Sequence, residues 1–205
     1  MSYLAQWHIT NLPQEIVEIV EKDLIQFDND AGDSQILDGN IDKVIRNSKQ
    51  AWIPTNHWIG GWLWYYIEKC NRENFLYDIR EIDNGSVQYT HYGPGQYYSW
   101  HQDADIDTFY KPTQIPNSGQ NLREDMTIVQ GEYVRKLSFT LQLSDPQDYT
   151  GGEVQFLDNG NKTFFAPKQR GTLIVFDSRT KHRVRKVKSG MRKSIVGLCV
   201  GPRWK

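Results

Sequence analysis

Apolar residues in the segment 13–27 recur at Ile16, Val20, Leu24 and Phe27, the spacing of one helical face, with Pro13 near the first turn. The pattern predicts an amphipathic helix packed on a core. A second helical region is predicted over residues 56–70, with Trp58, Trp62, Tyr65 and Tyr66 along it as aromatic cement against a sheet. Gly60 and Gly61 weaken that helix by about 1 kcal/mol each relative to alanine. Residues 28–41 lie between the two and are rich in Asp, Asn and Gly, so they read as loop.

Beyond Tyr77 the period changes from helical to two. Short alternating segments bounded by Gly, Asn, Asp and Pro predict strands over 86–92, 97–101, 135–143, 152–157, 171–176, 182–187 and 192–201. Residues 137–143 alternate cleanly, with Leu137, Phe139, Leu141 and Leu143 on one face and Ser138, Thr140 and Gln142 on the other. The polar face either meets solvent or lines a cavity suited to a polar small molecule. Residues 104–134 show no sustained period and read as a substrate-side lid, since long irregular stretches in a compact domain usually serve binding. The 205 residues fit one domain. Its expected parts are a helical support region over 1–76 and a mainly β core over 77–205.

Composition narrows the class. No apolar run approaches the length that crosses a bilayer, and the amino terminus lacks the basic start and apolar core of a secretory signal, so a soluble, cytoplasmic protein is expected. Cys70 and Cys199 stand far apart without metal spacing and read as reduced, packed thiols. A net charge of -1 argues against whole-molecule attraction to nucleic acid, yet from Arg179 to Lys193 there are eight Lys or Arg and no acid. That run is either a charge-protected edge strand or a positive wall beside an anionic ligand.

The candidate chemistry lies in Tyr92-Gly-Pro-Gly followed by His101-Gln-Asp103. In an extended strand residues i and i+2 share a face, so His101 and Asp103 would project together. His182, just beyond the apolar run at 172–176, supplies a third donor. Two histidines and a carboxylate on one face of an octahedron are the donor set of non-haem iron oxygenases. The same set could also hold zinc for hydrolysis, or belong to a binding module without catalysis.

Over residues 87–202 the chain resembles the 2-oxoglutarate and Fe(II)-dependent oxygenases, in particular the prolyl-4-hydroxylase-like branch. The resemblance rests on Tyr92-Gly-Pro-Gly with His101-Gln-Asp103, and on Arg135-Lys-Leu-Ser-Phe-Thr-Leu-Gln-Leu-Ser with Tyr149-Thr-Gly-Gly-Glu-Val-Gln-Phe. It continues through Gly171-Thr-Leu-Ile-Val-Phe-Asp-Ser with His182-Arg-Val, and Gly190-Met-Arg-Lys-Ser-Ile. It implies a double-stranded β-helix (jelly-roll) with supporting amino-terminal helices, and iron held by His101, Asp103 and His182. Arg192, ten residues after His182, would hold the distal carboxylate of 2-oxoglutarate, supported by Tyr92 and Gln142. Lys193 is the competing cation, but only arginine offers two parallel donors, and adjacent strand residues face opposite ways.

The implied reaction uses Fe(II), 2-oxoglutarate and O2, with ascorbate as a possible reductant, to hydroxylate a peptide or protein, proline first. Tyr97, Tyr98, Trp100, Phe109 and Tyr110 are candidates to frame that chain. A nucleic-acid-dealkylating relative would carry a second arginine six residues after Arg192, where this chain has Leu198.

Overall fold

Alternation between an apolar and a polar face, strand after strand, yields two antiparallel sheets that enclose a cavity. The computed structural model describes residues 7–35, 41–54, 56–83, 86–104, 133–158 and 160–204. The expected lid, with Phe109 and Tyr110, therefore lies outside the described residues. In chain order the described strands begin with β1 (Trp7–Asn11), β2 (Gly32–Asp33), β3 (Arg46–Asn47), β4 (Lys49–Trp52), β5 (Glu81–Ile82), β6 (Gln88–Tyr92), β7 (Tyr97–His101) and β8 (Tyr133–Gln142). They continue with β9 (Tyr149–Gly151), β10 (Val154–Leu157), β11 (Thr163–Phe165), β12 (Thr172–Asp177), β13 (Lys181–Val184), β14 (Val187–Gly190) and β15 (Arg192–Pro202).

The main sheet runs β1-β12-β8-β15-β6-β4-β2 with β5 beside β15, and the smaller sheet runs β11-β10-β13-β7-β3. β9 and β14 form a separate ribbon. This mainly β, antiparallel arrangement is the jelly-roll class expected above. Strands from the first 76 residues contribute to both sheets, which a purely helical reading of that stretch missed. β3 and β4 are too short to show a period, and β2 falls inside the segment read as loop.

The main sheet sits between helices and cavity. On β8, Leu137, Phe139 and Leu141 are fully buried against Val17, Val20 and Leu24 of helix α1 (Gln14–Leu24) and Ile59, Leu63 and Ile67 of helix α2 (Trp58–Cys70). Each such side chain contributes roughly 1.5–3 kcal/mol of burial. The α1 stripe is shifted by one residue at its start, with Val17 buried and Ile16 only half so. Its chain then tightens into a 3-10 turn from Ile25 to Asp30.

In α2 the expected aromatic cement holds for Trp62 and Tyr66 and is corrected for Trp58 and Tyr65. Trp58 is 44% and Tyr65 59% exposed, while Ile59, Leu63, Ile67 and Cys70 carry the contact. Trp62 and Tyr66 do pack, half-buried, against that core, and meet each other edge-on at 5.8 Å.

One glycine fixes the turn that leads into β15. Gly190 has φ +74°, and a Cβ there would lie 1.9 Å from the Asp148 carbonyl oxygen. Gly190→Ala is expected to cost at least about 1–3 kcal/mol. A fall in the thermal unfolding midpoint of several degrees, at about 2–4 °C per kcal/mol, is the result that checks it.

Candidate metal centre and active-site cavity

The polar face of β8 turns inward. Its residues join side chains of both sheets around a cavity of about 240 Å³ lined by His101, Asp103, Thr140, His182 and Arg192. Of the two readings that the alternation at 137–143 allowed, the cavity is the one observed.

His101 closes β7 and His182 stands on β13 directly opposite it in register. Their ring centroids are 4.1 Å apart. Asp103 lies two residues beyond the end of β7, so its convergence does not come from strand alternation as the spacing suggested. Instead the N–H groups of Asp103 and Ala104 both donate to the Ser178 carbonyl, at 2.9 and 3.1 Å, and fold the chain back over the sheet. Its carboxylate oxygens then lie 3.7 Å from His101 Nε2 and 3.6 Å from His182 Nε2. One donor atom from each residue falls within 4.8 Å of the others.

The donor chemistry fits a divalent cation. His101 Nδ1 is 2.7 Å from the Ser99 carbonyl and His182 Nδ1 2.9 Å from the Thr180 carbonyl. A carbonyl only accepts, so each Nδ1 carries the proton and each Nε2 points its lone pair at the centre. Burial, and then the neighbouring His182 ring, push His101 down to about 3, so it is neutral at ordinary pH. Burial opposes charge on Asp103, but His182, His101, the Ser138 hydroxyl and Arg135 together hold its carboxyl below the usual range. The result is two nitrogen donors and one anionic oxygen donor, suited to a labile divalent ion rather than to a soft thiophilic one.

Two contacts that the sequence did not reveal orient Asp103. Ser138 Oγ donates to Asp103 Oδ2 at 2.6 Å and is 3.0 Å from Ser178 Oγ, and Arg135 Nη1 donates to the Asp103 carbonyl at 3.0 Å. Such supports usually matter tenfold to a hundredfold for metal affinity. Ser138→Ala is therefore expected to weaken Mn(II) binding by about tenfold or more without unfolding the chain, as read by calorimetric titration and thermal melting.

At the other end of the cavity Arg192 is 1% exposed. Its Nη2 donates to Gln142 Oε1 at 2.9 Å, while Nε and Nη1 are buried with no hydrogen-bond partner among the described residues. Burial pulls the guanidinium below its ordinary range, countered in part by Tyr149 and Tyr92. Tyr92 offers its ring, centred 5.4 Å from the guanidinium carbon. Gln142 thus orients Arg192, and Tyr149, which sequence reading left out of the site, flanks it. Thr140, on β8 between Ser138 and Gln142, also has a hydroxyl without a partner among the described residues. Unpaired buried donors are costly, and these fit an anionic ligand that fills the cavity. Lys193 faces away, 3.6 Å from Asp28.

Comparison with known proteins agrees with the geometry. A family model described as the 2OG-Fe(II) oxygenase superfamily matches residues 87–199. A PKHD-type hydroxylase of Parvibaculum lavamentivorans is 41% identical over 61 residues, which is 30% of this chain and 27% of that protein's length. The chain thus spans well under half the length of this curated relative. A solved prolyl hydroxylase from Trichoplax adhaerens, in complex with a hypoxia inducible factor peptide fragment, superposes with a TM-score of 0.71 at 19% identity, covering 95% of this chain and 83% of the other. A Pseudomonas putida prolyl-4-hydroxylase superposes with a TM-score of 0.69 at 16% identity, covering 98% and 94%. At such identities the likeness is one of fold.

Proposed function

The chain belongs to the 2OG-Fe(II) oxygenase superfamily, and from that membership we propose that it is an Fe(II)- and 2-oxoglutarate-dependent dioxygenase hydroxylating a peptidyl, prolyl-type C–H bond. The observation that carries the reading is one cavity with a two-histidine, one-carboxylate cluster at one end and a buried arginine with unpaired donors at the other. His101, Asp103 and His182 would hold the iron, and Arg192 the distal carboxylate of 2-oxoglutarate. With both bound, the chemistry supplied is activation of O2 coupled to decarboxylation of 2-oxoglutarate to succinate and CO2, with a substrate C–H converted to C–OH.

The protein's own part is binding, orientation and exclusion of water. Arg192 is preorganised by Gln142, so its planar fork meets a carboxylate with little loss of side-chain freedom. Thr140 offers a hydroxyl on β8 between the two ends. Val154, Phe156, Ile174 and Phe176 form an apolar cluster, and Phe176 packs 4.8 Å from the His182 ring. That packing keeps one flank of the donor set dry. No described helix is long and apolar enough to cross a membrane. Cys70 and Cys199 are buried free thiols, which fits the cytoplasmic setting we assign. Ascorbate would serve as an external reductant.

The test is succinate release with Fe(II), 2-oxoglutarate and a panel of proline-containing peptides, each paired with its alanine-substituted version. The reading requires release that depends on both cofactors and rises with a proline peptide. Release that ignores every peptide would remove the peptidyl part of the proposal.

A further inference from the structure

The basic run from Arg179 to Lys193 is only partly used by the site. Arg179 pairs with Asp177 and lies over Trp204, Arg192 enters the cavity, and Lys193 stands on the helix side of the main sheet. The remaining cations cluster on β13 and just after it. β13 lies inside its sheet, between β10 and β7, so they protect no edge. Its cavity side is taken by His182 and Val184. Lys181 and Arg183, at the alternate positions, therefore stand on the outer face.

That face is built, not merely charged. The Arg183 guanidinium lies 4.5 Å from the Trp100 ring centre, and its Nε donates to Gln155 Oε1 at 2.8 Å. Arg185 lies 5.7 Å from the ring of Phe165, which is 51% exposed, and Lys186 lies 5.6 Å from that of Tyr97. Lys181, Arg185 and Lys186 are exposed. Arg185 has one acidic neighbour among the described residues, Glu153 at 3.9 Å, and the other three cations make no ion pair there. In a chain of net charge -1 this is a local positive surplus.

We propose that the outer face of the smaller sheet is a docking surface for an extended, acidic stretch of polypeptide. Cations held on aromatic rings are already ordered, so less freedom is lost when they meet a carboxylate. Alternate side chains along a strand are roughly 6.6–6.8 Å apart, which is also the repeat of acidic groups at every second residue of an extended peptide. The same rings argue against single-stranded nucleic acid, whose bases need free ring faces to stack on. Here a cation lies over one face of each of the three rings. The surface lies across the sheet from the cavity and does not depend on the cavity's chemistry.

The test uses the full chain and a fluorescein-labelled decapeptide of alternating Glu and Gly, followed by anisotropy. Binding should weaken by about tenfold between low and moderate salt and by about tenfold in the variant Lys181→Gln/Arg185→Gln/Lys186→Gln. All three side chains are exposed, so that variant should melt at the wild-type temperature. Asp103→Ala should keep peptide binding, which separates this surface from the metal centre. The proposal is overturned if the wild type binds the peptide no better than its Gln-Gly counterpart. It is equally overturned if the triple variant binds like wild type, or if a thymidine decanucleotide binds more tightly than the peptide.

Discussion

Asp103→Ala is expected to lower divalent-metal affinity by at least about a hundredfold, close to 3 kcal/mol, and to bring 2-oxoglutarate turnover to background. Both imidazoles have Nδ1 engaged by a backbone carbonyl, which leaves Nε2 for the metal, and burial holds His101 uncharged. Asp103 is the sole anionic member of the cluster. Removing it leaves a dication with two uncharged nitrogens in a site of low dielectric, where the lost attraction is largest. The fold should survive, because the Arg135 bond and the turn at Ser178 use the Asp103 backbone and not its side chain. Mn(II) titration of wild type and variant checks this. Near-wild-type affinity in a folded variant would remove Asp103 from the metal site.

Arg192→Met should abolish the stabilisation that 2-oxoglutarate gives the protein, while leaving the ligand-free protein at least as stable as wild type. Without ligand Arg192 is a fully buried cation with Nε and Nη1 unpaired among the described residues, an arrangement that costs stability. Methionine fills similar volume without charge, at the cost of leaving Gln142 Oε1 unpaired, about 1–3 kcal/mol. With ligand the balance reverses, since the diacid loses its bidentate partner and its apparent affinity should fall by roughly two orders of magnitude. Thermal melts with Mn(II), with and without 2-oxoglutarate, separate the two effects. A ligand-dependent shift as large in Arg192→Met as in wild type would contradict the assignment. So would a ligand-free variant several degrees less stable than wild type.

Much of the centre was legible because its donors are chemically distinctive and two of them, His101 and His182, sit on strands. His182 was recognisable as a histidine after an apolar run, and Arg192 by its place ten residues after His182 in the family resemblance. What the sequence hid was whatever depends on a partner strand. Ser138 becomes a support for Asp103 only because β8 lies beside the turn at Ser178. Tyr149 approaches Arg192 only because β9 pairs with β14 just ahead of β15. The convergence of His101 and Asp103 was expected from a shared strand face, but a hydrogen-bonded turn after the strand produces it. On α2 the aromatic residues were expected to carry the contact, whereas Ile59, Leu63 and Ile67 form its buried centre with Trp62 and Tyr66 at its margin.

The central claim is that the cluster of His101, Asp103 and His182 and the guanidinium of Arg192 bind one chelate together. Its most direct test is anaerobic titration of the metal-free protein with Fe(II) and 2-oxoglutarate while the visible spectrum is recorded. A charge-transfer band should grow to one equivalent in wild type, be absent in Asp103→Ala, and need far more 2-oxoglutarate in Arg192→Met. No band in wild-type protein that demonstrably binds Fe(II) would contradict the account.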